Sequence, residues 1–233
     1  MPSGPVDDTL LVRVSATGPA AAQGTPRERG PDPRSVRTRA AVVEAATTLF
    51  LRHGYLGTSV EDIAALAAVS KRTVYNNFQD KERLFTEIVI GVTATAERFA
   101  DHLLGALSDA PDVPAALGEL ARRHLAAITA PQVVRLRRLV VSEASRFPDL
   151  AREYHRRAPG RVLAALADAF AALHERGELA APDPVRAAEH FSFLVLGAAL
   201  DRAMFDPESE PPAAAELERV ADDAVRVFLA AYR

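Results

Sequence analysis

From Arg37 to the C-terminus, apolar residues recur three and four positions apart in alanine-rich segments separated by short breaks that contain proline or glycine. That spacing puts the apolar side chains on one face of an α-helix, whereas a half-buried strand needs strict alternation. Nowhere do β-branched and aromatic residues alternate over five or more positions, so the pattern calls for an all-α fold. Helices are expected at about Ser35 to Arg52, Ser59 to Ala67, Lys71 to Asn77, Lys81 to Leu107, Val113 to Thr129, Gln132 to Arg146, Leu150 to Glu175, Pro184 to Phe205 and Ala213 to Ala231. Pro159-Gly160 predicts a kink in, or a division of, the segment from Leu150 to Glu175. His53-Gly54 supplies a C-terminal stop, and Ser59, Ser70 and Asp80 are placed to cap the helices that follow them.

Ahead of this region, residues 1–34 carry Pro2, Pro5, Pro19, Pro26, Pro31 and Pro33 among several glycines, without apolar periodicity. Such a stretch reads as a flexible leader. The whole chain has 233 residues, 48% of them hydrophobic and 25% charged, the balance of an ordinary globular protein with room for one large domain or two small ones. It has no cysteine, which excludes disulfides, thiolate metal sites and thiol nucleophiles.

The longest strongly apolar run, Phe191 to Leu200, is half of what a spanning helix needs, so no membrane partner is expected. Acidic Asp7 and Asp8 stand where a secretory signal would be basic, so a cytoplasmic protein is expected. The histidines at 53, 102, 124, 155, 174 and 190 include no pair three or four apart, so no metal site is expected. Phosphate-binding loops, nucleophile elbows and paired carboxylates are also missing from the pattern, and neither a cofactor nor catalysis is expected.

The chemistry lies between Thr58 and Phe85, TSVEDIAALAAVSKRTVYNNFQDKERLF. Two short helices joined by Ala68-Val69-Ser70 have the spacing of a helix-turn-helix, in which the first helix holds the second against a DNA major groove. In the second helix Val74 and Phe78 are four apart and point to the core, leaving Lys71, Arg72, Thr73, Tyr75, Asn76 and Asn77 outward. Arginine and lysine can donate to guanine, asparagine can pair with adenine, and hydroxyls reach phosphates. Overall charge is −3, yet residues 34–87 hold eight basic and six acidic side chains, a local +2.

The motif Thr58-Ser59-Val60, Asp62-Ile63-Ala64, Val69-Ser70-Lys71, Thr73-Val74-Tyr75, Asn77-Phe78, Lys81-Glu82 and Leu84-Phe85, preceded by Phe50, Gly54, Tyr55 and Gly57, resembles that of TetR-family transcriptional regulators. Arg137-Arg138-Leu139-Val140 and the stretch from Glu143 through Phe147-Pro148-Asp149-Leu150 are similar to the C-terminal domain of the AefR-like branch. The resemblance implies an all-α homodimer: a leader over residues 1–34, a three-helix helix-turn-helix DNA-binding domain over 35–85, and a larger helical domain over 86–233 for effector binding and dimerisation.

It also implies a double-stranded DNA operator and a small-molecule effector as partners, with DNA facing Lys71, Arg72, Thr73, Tyr75, Asn76 and Thr58. Lys81 would hold a phosphate with its amide and side chain. Ala68 and Arg72 stand where the family often has glycine, so the turn is expected to carry strain and Arg72 to read a base or phosphate peculiar to this operator. Arg34, Arg37 and Arg39 are either a minor-groove arm or a solvated linker.

In the C-terminal domain His124, Glu143, Arg146, Tyr154, His155, His174 and Phe193 are the polar or aromatic candidates to line an effector cavity. The alternative is a domain that only dimerises and binds a partner protein, with no ligand. The apolar helices Phe191 to Leu200 and Leu217 to Phe228 are either ordinary core or two faces of a dimer bundle.

Overall fold

The computed structural model describes residues 32–108, 110–206 and 212–233. Among them are ten α-helices and no strand: α1 (Pro33–His53), α2 (Val60–Leu66), α3 (Lys71–Phe78), α4 (Lys81–Ser108), α5 (Val113–Thr129), α6 (Pro131–Ser142), α7 (Pro148–Arg157), α8 (Pro159–Glu175), α9 (Pro184–Phe205) and α10 (Ala214–Tyr232). The expected leader lies outside the described residues as far as residue 31, and its last two residues already belong to α1. The chain divides into two compact units at Val92/Thr93, within α4 and about two helical turns beyond the boundary expected after residue 85.

Local chemistry explains each element of the first unit. Asp32 accepts from the Arg34 amide at 3.0 Å and Pro33 opens α1, where a missing N–H goes unnoticed. Gly54 ends α1 at φ 73°, a conformation costly for any residue with a Cβ. At Gly57 a Cβ would stand 2.3 Å from the His53 carbonyl oxygen, so only glycine fits there. Ser59 and Asp62 form a reciprocal capping box on α2.

Ala68 adopts φ 54° in the turn to α3, confirming the strain expected where glycine is absent. After α3, Gln79 at φ 63°, ψ −56° lets the Asp80 amide donate to the Phe78 carbonyl at 2.6 Å, a strained γ-turn that redirects the chain into α4. The rings of Phe50, Tyr55 and Phe85 meet with centroids 5.0 to 5.8 Å apart, and Ile63, Val74, Phe78 and Leu84 complete a core that fixes α3.

In the second unit, proline opens α6, α7, α8 and α9, punctuating one helix after another. The segment from Leu150 to Glu175 is divided at Ala158 into α7 and α8, as Pro159 requires. Helix α6 stops at Ser142 rather than Arg146, because the amides of Arg146 and Phe147 both turn back, at 2.9 Å, onto the Glu143 carbonyl. The core is built around Phe170, Phe191 and Phe228, whose ring centroids lie 5.2 to 5.6 Å apart, with Tyr232 stacked on Phe228 at 4.6 Å. The Ala180 amide donates to the Tyr232 carbonyl at 2.6 Å, fastening the end of α10 to the loop before α9.

Candidate functional site

Helix α3 has two unlike sides. Val74 and Phe78 are buried, while Lys71, Arg72, Tyr75 and Asn76 are exposed, Tyr75 by 41%. The Ser70 hydroxyl accepts from the Thr73 amide at 3.1 Å and shares a 2.8 Å hydrogen bond with the Thr73 hydroxyl, so half-buried Thr73 serves the cap of α3. Lys71 forms an ion pair with Glu61 of α2, and this hydrogen bond draws the Glu61 carboxyl below its usual range while raising the lysine. The Lys71 ammonium also lies 5.8 Å from the centre of the Tyr75 ring. The result is a compact group of cationic, aromatic and amide side chains on one short rigid helix, the chemistry with which proteins read phosphates and base edges.

Three residues expected to face DNA have side chains with other roles. Thr58 is 2% exposed, and its hydroxyl donates to the Gly54 carbonyl at 2.9 Å, so its side chain is shut away from any DNA. Asn77 is half-buried and donates its side-chain amide to the Thr73 carbonyl at 2.8 Å. The Lys81 ammonium donates to the carbonyls of Tyr55 at 2.9 Å and Thr58 at 2.8 Å and lies 4.2 Å above the Tyr55 ring. Its side chain therefore clamps the α1–α2 connection, leaving its amide at the first turn of α4 as the group suited to a phosphate.

Arg39 belongs to neither an arm nor a linker. It stacks on Phe78, donates to the Asn77 carbonyl and pairs with Glu87 of α4. Arg34 and Arg37 lie exposed in the first turns of α1.

The expected effector residues do not converge. His124 is buried on α5 against Phe99, with ring centroids 5.4 Å apart, and its Nδ1 has no hydrogen-bond partner. Burial, aided by the nearby charge of Arg137, pushes this imidazole down to about 4 and keeps it neutral. Glu143 pairs with Arg146 at 3.4 Å in the turn after α6, Glu143 largely covered and Arg146 exposed. Tyr154 is buried on α7, and His155 beside it is exposed.

His174 is exposed, and its Nδ1 lies 3.0 Å from the Leu179 carbonyl in the turn after α8. Phe193 is 70% exposed on α9. Neither His174 nor Phe193 lines an interior cavity of a single chain, because both face solvent. An open groove of about 460 Å³ runs between α5 and α10, bordered by Pro114, Gly118, Val225, Leu229 and the Arg122–Asp222 ion pair at 2.7 Å, and none of the expected residues borders it.

Arg137 of α6 was not among the residues expected to line an effector cavity. Its signal was three arginines in the middle of an otherwise apolar helix, VVRLRRLVV. No helix among the described residues is long and apolar enough to cross a membrane, and those residues hold no cluster of three or more potential metal ligands.

A three-helix unit that fixes one short helix by its apolar side and exposes a cationic polar face is the DNA-binding part of a transcriptional regulator. Residues 42–88 match the family model of bacterial regulatory proteins of the tetR family, and residues 115–233 match the C-terminal domain of AefR-like transcriptional repressors. The chain is similar to a TetR-family regulator from Mesorhizobium loti MAFF303099, with 38% identity over 86% of this chain and 99% of the other and a TM-score of 0.79.

It is also similar to the flavonoid-responsive regulator FrrA, at 28% identity over 85% and 98% of the two chains and a TM-score of 0.63. The HTH-type transcriptional regulator YhgD of Bacillus subtilis strain 168 is 36% identical over 70 residues, 30% of this chain and 37% of that protein. The chain spans about a third of the length of the first curated relatives it matches. It belongs to the TetR family of transcriptional regulators, with a C-terminal domain of the AefR-like kind.

Proposed function

We propose that this protein is a cytoplasmic repressor that binds a pseudo-palindromic operator as a homodimer and leaves it when a small-molecule effector enters the C-terminal unit. The observation that carries the reading is the division of α3 into a buried Val74–Phe78 side and an exposed side bearing Lys71, Arg72, Tyr75 and Asn76. Those four side chains, the Thr73 edge and the Lys81 amide are the DNA contacts in this reading. Dimerisation is supported by Phe193 and Leu194 on α9 and Val227 on α10, apolar side chains exposed on two helices that pack together. A relative that responds to a flavonoid supports a small-molecule effector for this chain as well.

In mechanism, the effector binds better to a conformation in which α4 tilts the DNA-binding unit. The two recognition helices then no longer match grooves about 34 to 36 Å apart, and one half-site is lost. The test is binding to the DNA immediately upstream of the protein's own gene across a salt series, comparing wild type with Arg72→Ala and Tyr75→Ala. Specific binding that falls steeply with salt and is lost in both variants is expected. Weak binding that neither substitution alters overturns the reading.

A further inference from the structure

Arg137 on α6 has its guanidinium Nε enclosed by protein with no hydrogen-bond partner, and it forms no ion pair among the described residues. Its neighbours in the same helix are accounted for: Arg135 faces solvent, and Arg138 donates to the carbonyls of Ala203 and Met204 at the end of α9. A guanidinium N–H withdrawn from water is unfavourable unless something supplies the missing acceptor.

On α5, which packs against α6, His124 is 4% exposed and its Nδ1 also lacks a partner. The two orphaned nitrogens thus stand on adjacent helices, with the Phe99 ring of α4 against the imidazole and buried Leu120, Ala121 and Leu125 beside it in α5.

We propose that Arg137 and His124 receive the carboxylate of a small organic monoacid whose apolar body lies toward Phe99. This rests on the reading of the C-terminal unit as the effector-binding part and names the class of effector. A guanidinium prefers a planar oxyanion that takes two parallel N–H donors, and a neutral imidazole adds one further N–H to the same group. The fixed charge here is the single guanidinium of Arg137, and a monocarboxylate balances it where a doubly charged phosphate would not. A trapped water satisfies the hydrogen bonds and leaves the charge uncompensated. The aromatic and aliphatic surroundings suit an apolar body and penalise a polar one.

The experiment uses the full chain and four probes: octanoate and benzoate, with octanamide and benzamide as neutral isosteres. Binding is read by calorimetry and by the shift in melting temperature, without DNA. The expected result is that at least one acid binds and raises the melting temperature by several degrees while its amide does not, and that Arg137→Gln weakens the acid at least tenfold. Arg137→Lys, which keeps the charge but not the planar fork, should fall between the two and guards against a folding defect in the first variant.

Equal binding of acid and amide, undiminished binding by Arg137→Gln, or no binding of either acid each overturns the proposal. Operator release is then measured separately by fluorescence anisotropy. An acid that binds through Arg137 and leaves the operator complex intact supports the site and overturns the effector reading. A neutral probe that displaces the operator without needing Arg137 supports the effector reading and overturns the acid site.

Discussion

The Arg39 guanidinium lies 4.2 Å from the centre of the Phe78 ring and donates at 2.9 Å to the Asn77 carbonyl, while its other end pairs with Glu87. One side chain from α1 thereby fastens the last turn of α3 to α4. Replacing Arg39 with alanine should reduce stability by about 2 kcal/mol, from a lost cation–π contact and a lost charge-assisted hydrogen bond. It should weaken operator binding without changing the slope of log affinity against log salt, because no phosphate contact is removed. Urea denaturation and an anisotropy salt series measure the two effects, and a shallower slope would instead make Arg39 a DNA contact.

On the opposite side of α3 the expectation reverses. Arg72→Ala and Tyr75→Ala remove exposed side chains, so stability should change by less than about 0.5 kcal/mol. Operator affinity should nevertheless drop by about 1–3 kcal/mol for Arg72→Ala, on the scale of one base or phosphate contact. Thermal melting beside operator titration separates these variants from Arg39→Ala, which loses both properties.

Ala68 holds φ 54° in the turn between α2 and α3. Glycine has no Cβ to crowd the carbonyl in that conformation, at the expense of a more flexible unfolded chain. Ala68→Gly should therefore raise the stability of the DNA-binding unit by about 0.5–1 kcal/mol, read from the urea midpoint. Gly57→Ala should do the reverse and severely, since its Cβ would stand 2.3 Å from the His53 carbonyl oxygen.

Stability of the C-terminal unit should fall with acid in a window set by His124. Its imidazole is held near a pKa of about 4 in the fold against 6.5 when exposed, by burial first and by the Arg137 charge second. Above pH 6.5 the residue is neutral folded and unfolded, and the fold keeps its full stability. As pH falls from 6.5 toward 4 the unfolded chain takes up a proton that the folded chain refuses, so roughly 3 kcal/mol is lost. His124→Phe should flatten that part of the pH profile of urea unfolding, and an unchanged profile would mean that the imidazole is not held neutral.

Phe193→Glu places a charge on the exposed face of α9, where the side chain is 70% exposed in one chain. The single chain should keep its fold, while self-association should weaken tenfold or more if this face is covered in the homodimer. Sedimentation velocity at several concentrations decides the matter, and an unaltered dimer would move the interface elsewhere.

Helix positions, their caps and the buried pair Val74 and Phe78 were legible because each depends on neighbours within four or five residues: the capping box of Ser59 and Asp62, the glycine at 54, the proline that divides α7 from α8. The outward set Lys71, Arg72, Tyr75 and Asn76 follows from the same periodicity. The side chains of Thr58 and Lys81 were not legible, because both residues belong to the motif by position while their side chains turn inward to satisfy backbone carbonyls in the α1–α2 connection. The effector candidates were harder still, since polarity along a helix does not say which polar group faces protein.

By itself the sequence determined the succession of helices, the short turn that presents α3, and the absence of thiol chemistry, all properties of local spacing or composition. Only the tertiary structure decided which charged and polar groups hold the fold and which are left without a partner. Lys81 reaches a carbonyl 23 residues away and Arg39 a carboxylate 48 residues away, while Arg137 and His124 stand on separate helices with orphaned nitrogens. Such pairings are fixed by how helices pack, and packing is a sum over contacts that no short window of sequence contains.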